Sequence, residues 1–596
     1  MWPMKKKYNN QQKILVIAGI LLLIGFLLGP AAGPYYMRLM SLVLIYLVLT
    51  TGLNIVSGYT GQVSLGQAGL YAIGAYTAGI LATKLGMSFW LCIPFSMVMA
   101  GIFGFLLGIP TLRVSGHYLA LITIGFGVIV EKLLVEWASL TGGPIGISVN
   151  SPSIGSLVLS EAQFYYVLLI ICLLVLLITN NIIRSPFGRA FSAIRDNEIA
   201  AGCMGINIMG YKLLAFVLSA LFAGLAGCMY TFYNIYISPD TFVFNLSMFF
   251  LLTIIVGGSG TLTGPIVGTI LLTILPEYLH FLNEYRLIFY GVLLIAVVIG
   301  LPDGITGMVR KKLPKLVTFT QPLSIEKDPI VSKKTSNDEE NLLVLEKVNK
   351  HFGGLYAIEN LDLQVKKGTV HSLIGPNGAG KTTLINIITG VYKPNEGHVL
   401  FNNQIIDGVK SHKIAISGIG RTFQNVQVFG KLTVLENVMI GSHRQYHANI
   451  IDFIFKSKRA RTEENQAYQK AWALLKMIGL DDKASEFANS LSSGQQRLLE
   501  IARALAMEPD LLLLDEPAAG LNKTEIDNLS ILVNKIKSKG ITIFLIEHHI
   551  DLVMDISDTI TVLNFGKKLA EGVPQQIQMN QEVIEAYLGR EEVAVC

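Results

Sequence analysis

Val370-His371-Ser372-Leu373-Ile374-Gly375-Pro376-Asn377-Gly378-Ala379-Gly380-Lys381-Thr382-Thr383 is the stretch that decides the fold of the second half of this chain. The apolar run 370–374 reads as a buried strand, and a helix is expected from about Gly380. Between them the spacing is G-x4-G-K-[S/T], a phosphate-binding loop. Glycines let successive backbone N–H groups curl around phosphate oxygens, and the N-terminus of the helix adds a favourable dipole. Gly375, Pro376, Asn377, Gly378, Ala379, Gly380, Lys381, Thr382 and Thr383 are therefore the expected nucleotide-binding residues. Lys381 is expected to reach the β- and γ-phosphates, and Thr382 to ligate Mg2+.

Two downstream stretches extend the reading. Leu511–Leu514 is a second buried-strand run, and it ends in Asp515-Glu516. Asp515 suits a magnesium shell, while Glu516 is placed to orient or deprotonate an attacking water. Leu491-Ser492-Ser493-Gly494-Gln495 opens a helix that runs through Glu500-Ile501-Ala502-Arg503. Serine is a preferred helix cap, but its hydroxyl and the helix-start amides also bind a γ-phosphate. This is the pattern of an α/β P-loop NTPase.

The first half belongs to a different solvent. The chain has 596 residues, 52% of them apolar, with 47 Lys and Arg against 42 Asp and Glu. Residues 1–310 hold only 14 and 9 of these, leaving 33 and 33 for the remainder, so the net charge of +5 arises in the apolar half. A membrane span needs about 20 mostly apolar residues. Ten candidates lie near 14–33, 38–57, 65–83, 89–110, 117–135, 164–181, 211–233, 245–258, 264–281 and 286–302. The third and eighth, Gly-rich or short, also suit re-entrant segments.

Lys5, Lys6, Lys7 and Lys13 place the N-terminus inside. Alternation then puts Arg113, the loop with Arg184, Arg189 and Arg195, and Arg310, Lys311 and Lys312 on the same side. A cleaved signal peptide is disfavoured because the first apolar run continues past any plausible cleavage site. Cys92, Cys172, Cys203, Cys228 and Cys596 have no paired spacing for a disulfide framework or a metal cluster. Gly58–Gly79 is dense in small residues, with Gly74/Ala78 and Ala75/Gly79 four apart, which favours close helix packing. Asn54, Gln62 and Gln67 are candidates to line a polar solute path, since unpaired amides are costly in lipid. Residues 311–341 carry Pro314, Pro322 and Pro329 and a polar run without apolar periodicity, and read as a tether. The expected domains are thus a polytopic α-helical transmembrane domain over 1–310, a linker over 311–341 and a nucleotide-binding domain over 342–596.

Taken together, LSSGQQRLLEIARAL (491–505) and LLLLDEPAAGLN (511–522) resemble the ATP-binding cassette (ABC) family, with Ser493 where its signature has the first glycine. That resemblance implies an α/β domain with a helical subdomain. Gln424 in GIGRTFQ resembles the Q-loop glutamine, a magnesium contact linking the site to the permease. His548 resembles the switch histidine, although His549 follows it directly. Phe352 resembles the aromatic that stacks on adenine; a core phenylalanine is the competing reading. Segment 184–210 contains Glu198, Ala200, Ala201 and Gly205 and resembles the coupling loop of ABC importers, with the Glu one place early.

Nearly the whole chain, through GQVSLGQAGLYAIGAY (61–76), TGGPIGI (141–147), RSPFGRAFSAIRDNEIAA (184–201), FGGLYAI (352–358) and AYLG (586–589), is similar to branched-chain amino-acid (Leu/Ile/Val) ABC importers, here with permease and ATPase fused. The resemblance implies ATP and Mg2+ as ligands, a second permease, a second ATPase and an extracytoplasmic solute-binding protein as partners, or a homodimer. It implies a multi-pass protein of the cytoplasmic membrane. Import of urea, short amides or other amino acids, an ABC exporter, and an ATP-regulated channel are the alternatives; no nucleic-acid partner is expected.

Overall fold

The computed structural model describes residues 33–112, 114, 116–154, 157–278, 286–301, 303–312 and 340–588. The expected span 14–33, its flanking lysines, Arg113 and most of the tether lie outside the described residues. The chain divides into two compact units. One comprises Met1–Arg195, Ile208–Thr320 and Asn449–Ser457; the other comprises Asp196–Asn207, Gln321–Ala448 and Lys458–Cys596.

The first unit is helical. Six of its described helices are long and apolar enough to cross a membrane: Pro34–Tyr59, Phe89–Thr111, Tyr118–Glu136, Glu161–Ile183, Ile208–Asn234 and Pro239–Gly257. Three other expected spans coincide with helices among the described residues: Gln67–Lys84, of 18 residues, carries glycines, a threonine pair and an amide, and the described parts of the other two are Thr263–Tyr278 and Arg286–Gly300.

Glycines set how this bundle packs. A Cβ on Gly74 would collide with the backbone of Gly224, and one on Gly227 with the backbone of Tyr71 and Ala75. Helices Gln67–Lys84 and Ile208–Asn234 therefore meet backbone to backbone, as small residues permit in a lipid setting. The amide of Asn54 is used structurally: its Nδ2 donates to Thr261 O at 2.9 Å and its Oδ1 accepts from Gly260 N at 2.9 Å. Asn54 is thus a tie between distant backbone segments. Gln62 Oε1 accepts from Thr60, and Gln67 Oε1 from Ser219, while Gln67 Nε2 is buried without a partner.

The second unit is built on a six-stranded sheet in the order Ile419–Arg421, Leu511–Asp515, Thr542–Ile546, Val370–Ile374, Thr559–Asn564, Lys567–Gly572. All neighbours are parallel except the last pair. The strands Val370–Ile374, Leu511–Asp515 and Thr542–Ile546 are buried at every residue, as a sheet covered on both faces requires. A four-stranded antiparallel sheet adds Leu355–Lys366, Asn341–Phe352, Glu396–Phe401 and Gln404–Ile405. Helices Val434–Gly441, Lys458–Met477 and Ser493–Ala506 form a helical portion.

Segment 196–207 packs within this unit. Asn197 caps the helix Glu198–Cys203, its Oδ1 accepting from Ala200 N at 2.9 Å, and Gly205 turns the chain at φ +82°. The short glycine-ended helix expected there is the one observed.

Candidate functional site

Strand register assembles the site. Asp515 pairs with Ile546, and Ile546 with Leu373, so three parallel strands end level with one another. Gly375, Glu516, Glu547 and His548 consequently leave the sheet at one edge, the carboxyl ends where open α/β sheets place their ligands.

The phosphate loop follows the central strand. Gly375, Gly378 and Gly380 adopt φ of +154°, +83° and +101°, and a Cβ on Gly375 or Gly380 would strike the backbone of Leu563 or Ala357. Only glycine fits such a loop. Lys381 is buried at the start of helix Lys381–Ile388, and its Nζ donates to Gly375 O at 2.7 Å and Pro376 O at 3.0 Å. Burial lowers its pKa, opposed by Glu516 and Asp515. The ammonium is thus held over the loop by two carbonyls that a phosphate can replace. Asn377, Gly378 and Thr382 are exposed, Pro376, Gly380 and Thr383 half-buried, and Ala379 buried.

Glu516 has φ +49°, a left-handed conformation that costs a non-glycine residue about 1–3 kcal/mol and is found at functional sites. Its Oε1 accepts from Gln424 Nε2 at 3.1 Å and lies 2.8 Å from His548 Nε2. Gln424, Glu516 and His548 therefore converge, whereas His549 is exposed and begins the helix Ile550–Ile556. Of the two histidines, His548 faces the acid.

Asp515 is nearly fully buried, and neither carboxylate oxygen has a hydrogen-bond partner. Arg421 Nη2 stands 3.6 Å away, and burial raises the Asp515 pKa against that charge. Orphaned carboxylate oxygens and the exposed hydroxyl of Thr382 are hard oxygen donors that suit Mg2+. Among the described residues no group of three or more His, Cys, Asp or Glu is placed to hold a metal ion. A cation here fits as one that shares its shell with phosphate and water.

Two expected contributors stand apart. Ser492 and Gln495 form a reciprocal cap, Gln495 N donating to Ser492 Oγ at 3.4 Å and Ser492 N to Gln495 Oε1 at 3.3 Å. Ser492 and Ser493 are exposed, Gly494 is buried and Gln495 half-buried. Among the described residues no hydrogen bond joins these four to Lys381, Asp515 or Glu516. Phe352 is 45% exposed, which removes the core reading; its ring meets Tyr392 edge-on at 5.3 Å, with Lys350 Nζ 5.1 Å above it.

Sequence reasoning missed Glu547. It is 1% exposed, and its carboxylate accepts from Ala518 N at 2.6 Å, His548 N at 2.6 Å and His549 N at 3.3 Å. One buried acid thereby ties the loop after Glu516 to the histidine that faces it. The signal was present: Ile541–Ile546 ends in Glu547-His548 much as Leu511–Leu514 ends in Asp515-Glu516.

Residues 35–298 match a family described as the permease component of the branched-chain amino acid transport system. Residues 358–519 match the ABC transporter family, and 567–593 match one described as branched-chain amino acid ATP-binding cassette transporter. The chain is 45% identical over 249 residues to the high-affinity branched-chain amino acid transport ATP-binding protein BraF of Pseudomonas aeruginosa, covering 42% of this chain and 98% of that protein. It is 43% identical over 249 residues to the ATP-binding protein LivG of Escherichia coli, again 42% of this chain and 98% of the relative. To the permease protein LivM of E. coli it is 36% identical over 328 residues, covering 51% of this chain and 77% of the relative. Its phosphate loop, converging acids and long apolar helices thus occur in one integral membrane polypeptide that hydrolyses ATP. The chain belongs to the branched-chain amino-acid ABC transporter family, as a permease component fused to its ATP-binding component.

Proposed function

We propose that this chain drives import of a branched-chain amino acid across the cytoplasmic membrane, with 1–310 as permease, 311–341 as tether and 342–596 as ATPase. The observation that carries the reading is the convergence of Gln424 and His548 on Glu516, beside Lys381 on its phosphate loop, in a chain that also bears a bundle of apolar helices. The names of BraF, LivG and LivM support the choice of solute.

In this reading Lys381 exchanges its two carbonyl partners for β- and γ-phosphate oxygens, and the loop residues 375–383 wrap the phosphates with N–H groups. Phe352 stacks on the adenine. Thr382, Gln424 and Asp515 would hold Mg2+, which would neutralise charge at the phosphates. Glu516 orients the attacking water and accepts its proton as the bond to the leaving ADP oxygen breaks. His548 keeps Glu516 aligned and meets the γ-phosphate. Ser492, Ser493, Gly494 and Gln495 belong to a site shared with a second ATPase, because they stand apart from Lys381 in their own chain.

The partners are a second permease, a second ATPase and a solute-binding protein outside the membrane, or a second copy of this chain. The N-terminus and the ATPase face the cytoplasm, in keeping with the basic residues Arg184, Arg189, Arg195 and Arg310–Lys312. Uptake of labelled leucine by cells lacking their own carriers tests the solute class. Expression of this chain with its partners is expected to restore uptake that isoleucine and valine compete away. Competition by urea or short amides instead would overturn the choice of solute.

A further inference from the structure

One segment from the nucleotide-binding half of the sequence, Asn449–Ser457, packs with the helical unit. It carries the helix Ile450–Ile454, capped by Asn449, whose N donates to Asp452 Oδ2 at 3.1 Å. Ile450, Phe453 and Ile454 turn inward and pack on the bundle. The buried Phe453 ring meets Phe187 edge-on at 6.0 Å, and Ile454 O accepts from Asn181 Nδ2 at 2.8 Å. The outer face is just as apolar. Ile451 and Phe455, four apart, are 64% and 79% exposed. A helix apolar on every side suits a core or a membrane, yet among the described residues only the inner side of this one is covered.

Asn181 fixes where the segment lies. Helix Glu161–Ile183 is one of the six able to cross a membrane, and Ile170, Leu174 and Leu177 are exposed along it. Positions 170, 174, 177 and 181 share one helix face, so Asn181 ends the stripe that meets lipid. The segment bonded to it therefore sits where hydrocarbon gives way to headgroups. Lys456 follows, exposed, and Lys458, Arg459 and Arg461 come next in the sequence. Apolar side chains followed by cations suit the boundary between acyl chains and anionic phosphates.

We propose that Asn449–Ser457 is a foot on the membrane surface: Ile451 and Phe455 enter the headgroup–acyl boundary, and Lys456 meets lipid phosphate. Lipid is favoured over a protein partner because the stripe that the foot continues already faces lipid, and because the cations after it complement phosphate. The inference needs Glu161–Ile183 to span the bilayer and is independent of the solute.

The test uses the full chain in vesicles of phosphatidylcholine with phosphatidylglycerol. It carries Cys596→Ser, and the four cysteines among the described residues are buried, so bimane labels only an introduced thiol. The label is placed in turn at Ile451→Cys, at Phe455→Cys and, as a control in the other unit, at Phe565→Cys, where the phenylalanine is 84% exposed. Labels at 451 and 455 are expected to be quenched by lipid carrying a nitroxide near the headgroup and shielded from iodide, with the reverse at 565. Phe455→Asp, which leaves the inner contacts of Phe453 and Ile454 intact, is expected to expel the label at 451, losing lipid quenching and gaining iodide quenching. Lys456→Gln is expected to remove the extra lipid quenching that phosphatidylglycerol confers over phosphatidylcholine alone. Iodide quenching at 451 and 455 equal to that at 565, with none by lipid, would overturn the foot. Shielding from both quenchers, the mark of a protein interface, would overturn it too, and an unchanged increment in Lys456→Gln would overturn the part given to that lysine.

Discussion

His548 Nε2 stands 2.8 Å from Glu516 Oε1, and that same oxygen accepts a hydrogen bond from Gln424 Nε2. A carboxylate held from two sides, on a residue with φ +49°, is fixed in direction before any water arrives. Glu516→Gln is therefore expected to lower ATP hydrolysis about 10²–10⁴-fold, the usual contribution of a positioned base. Nucleotide binding should survive, because residues 375–383 are untouched. Phosphate release and retention of labelled ATP, measured on the same preparation, check both halves.

Glu547 gives a second prediction. Its two oxygens serve three N–H groups, one of them on the fully buried Ala518. Glu547→Gln leaves a single acceptor oxygen and offers an amide N–H where another N–H points. The expected cost is about 1–3 kcal/mol of stability. Because His548 loses its anchor, kcat should fall while KM for ATP stays near its original value. Denaturant titration and steady-state kinetics read the two effects separately, and an unchanged kcat would contradict the positioning role.

The buried imidazole of His371 makes stability depend on pH. His371 Nε2 lies 2.8 Å from Thr561 Oγ1, the ring stacks on Phe544, and burial lowers its pKa from 6.5 to about 4. Between those values the unfolded chain binds a proton that the folded chain refuses. Stability attributable to His371 is thus fully present above pH 6.5 and is lost as pH falls toward 4, by at most about 3 kcal/mol. Thermal unfolding of the full chain across this range should show the decline, and His371→Gln should flatten it.

Asn54 was a candidate for the solute path, and its geometry shows a structural tie. With both ends of the amide bonded to backbone at Gly260 and Thr261, Asn54→Ala leaves a donor and an acceptor unpaired. The expected result is about 1–3 kcal/mol less stability, with relative uptake of different solutes unchanged. A shifted solute preference in a stably folded Asn54→Ala protein would contradict it.

What was legible in the sequence follows from how local each feature is. The phosphate loop and the acidic pair after Leu511–Leu514 could be read because strand, turn and chemistry are contiguous. Phe352 could be named, but only its exposure separated a surface ring from a core one. Arg421 and Glu547 were not read as site residues, since their partners come from separate strands and loops. The structural tie made by Asn54 was not legible for the same reason: Gly260 and Thr261 lie more than 200 positions away. Apolar runs near 264–281 and 286–302 were legible because apolarity is local, and the described helices Thr263–Tyr278 and Arg286–Gly300 fall on them.

The central claim is that hydrolysis at Glu516 powers movement of a solute through the same chain. Vesicles holding the full chain and its partners, given ATP, Mg2+ and a leucine-loaded binding protein, test it by following phosphate release and leucine uptake together. The account predicts that both rise with loaded binding protein and that both vanish in Lys381→Ala and Glu516→Gln. Accumulation of leucine that persists in Glu516→Gln, or a purified assembly that neither binds nor splits ATP, would contradict it.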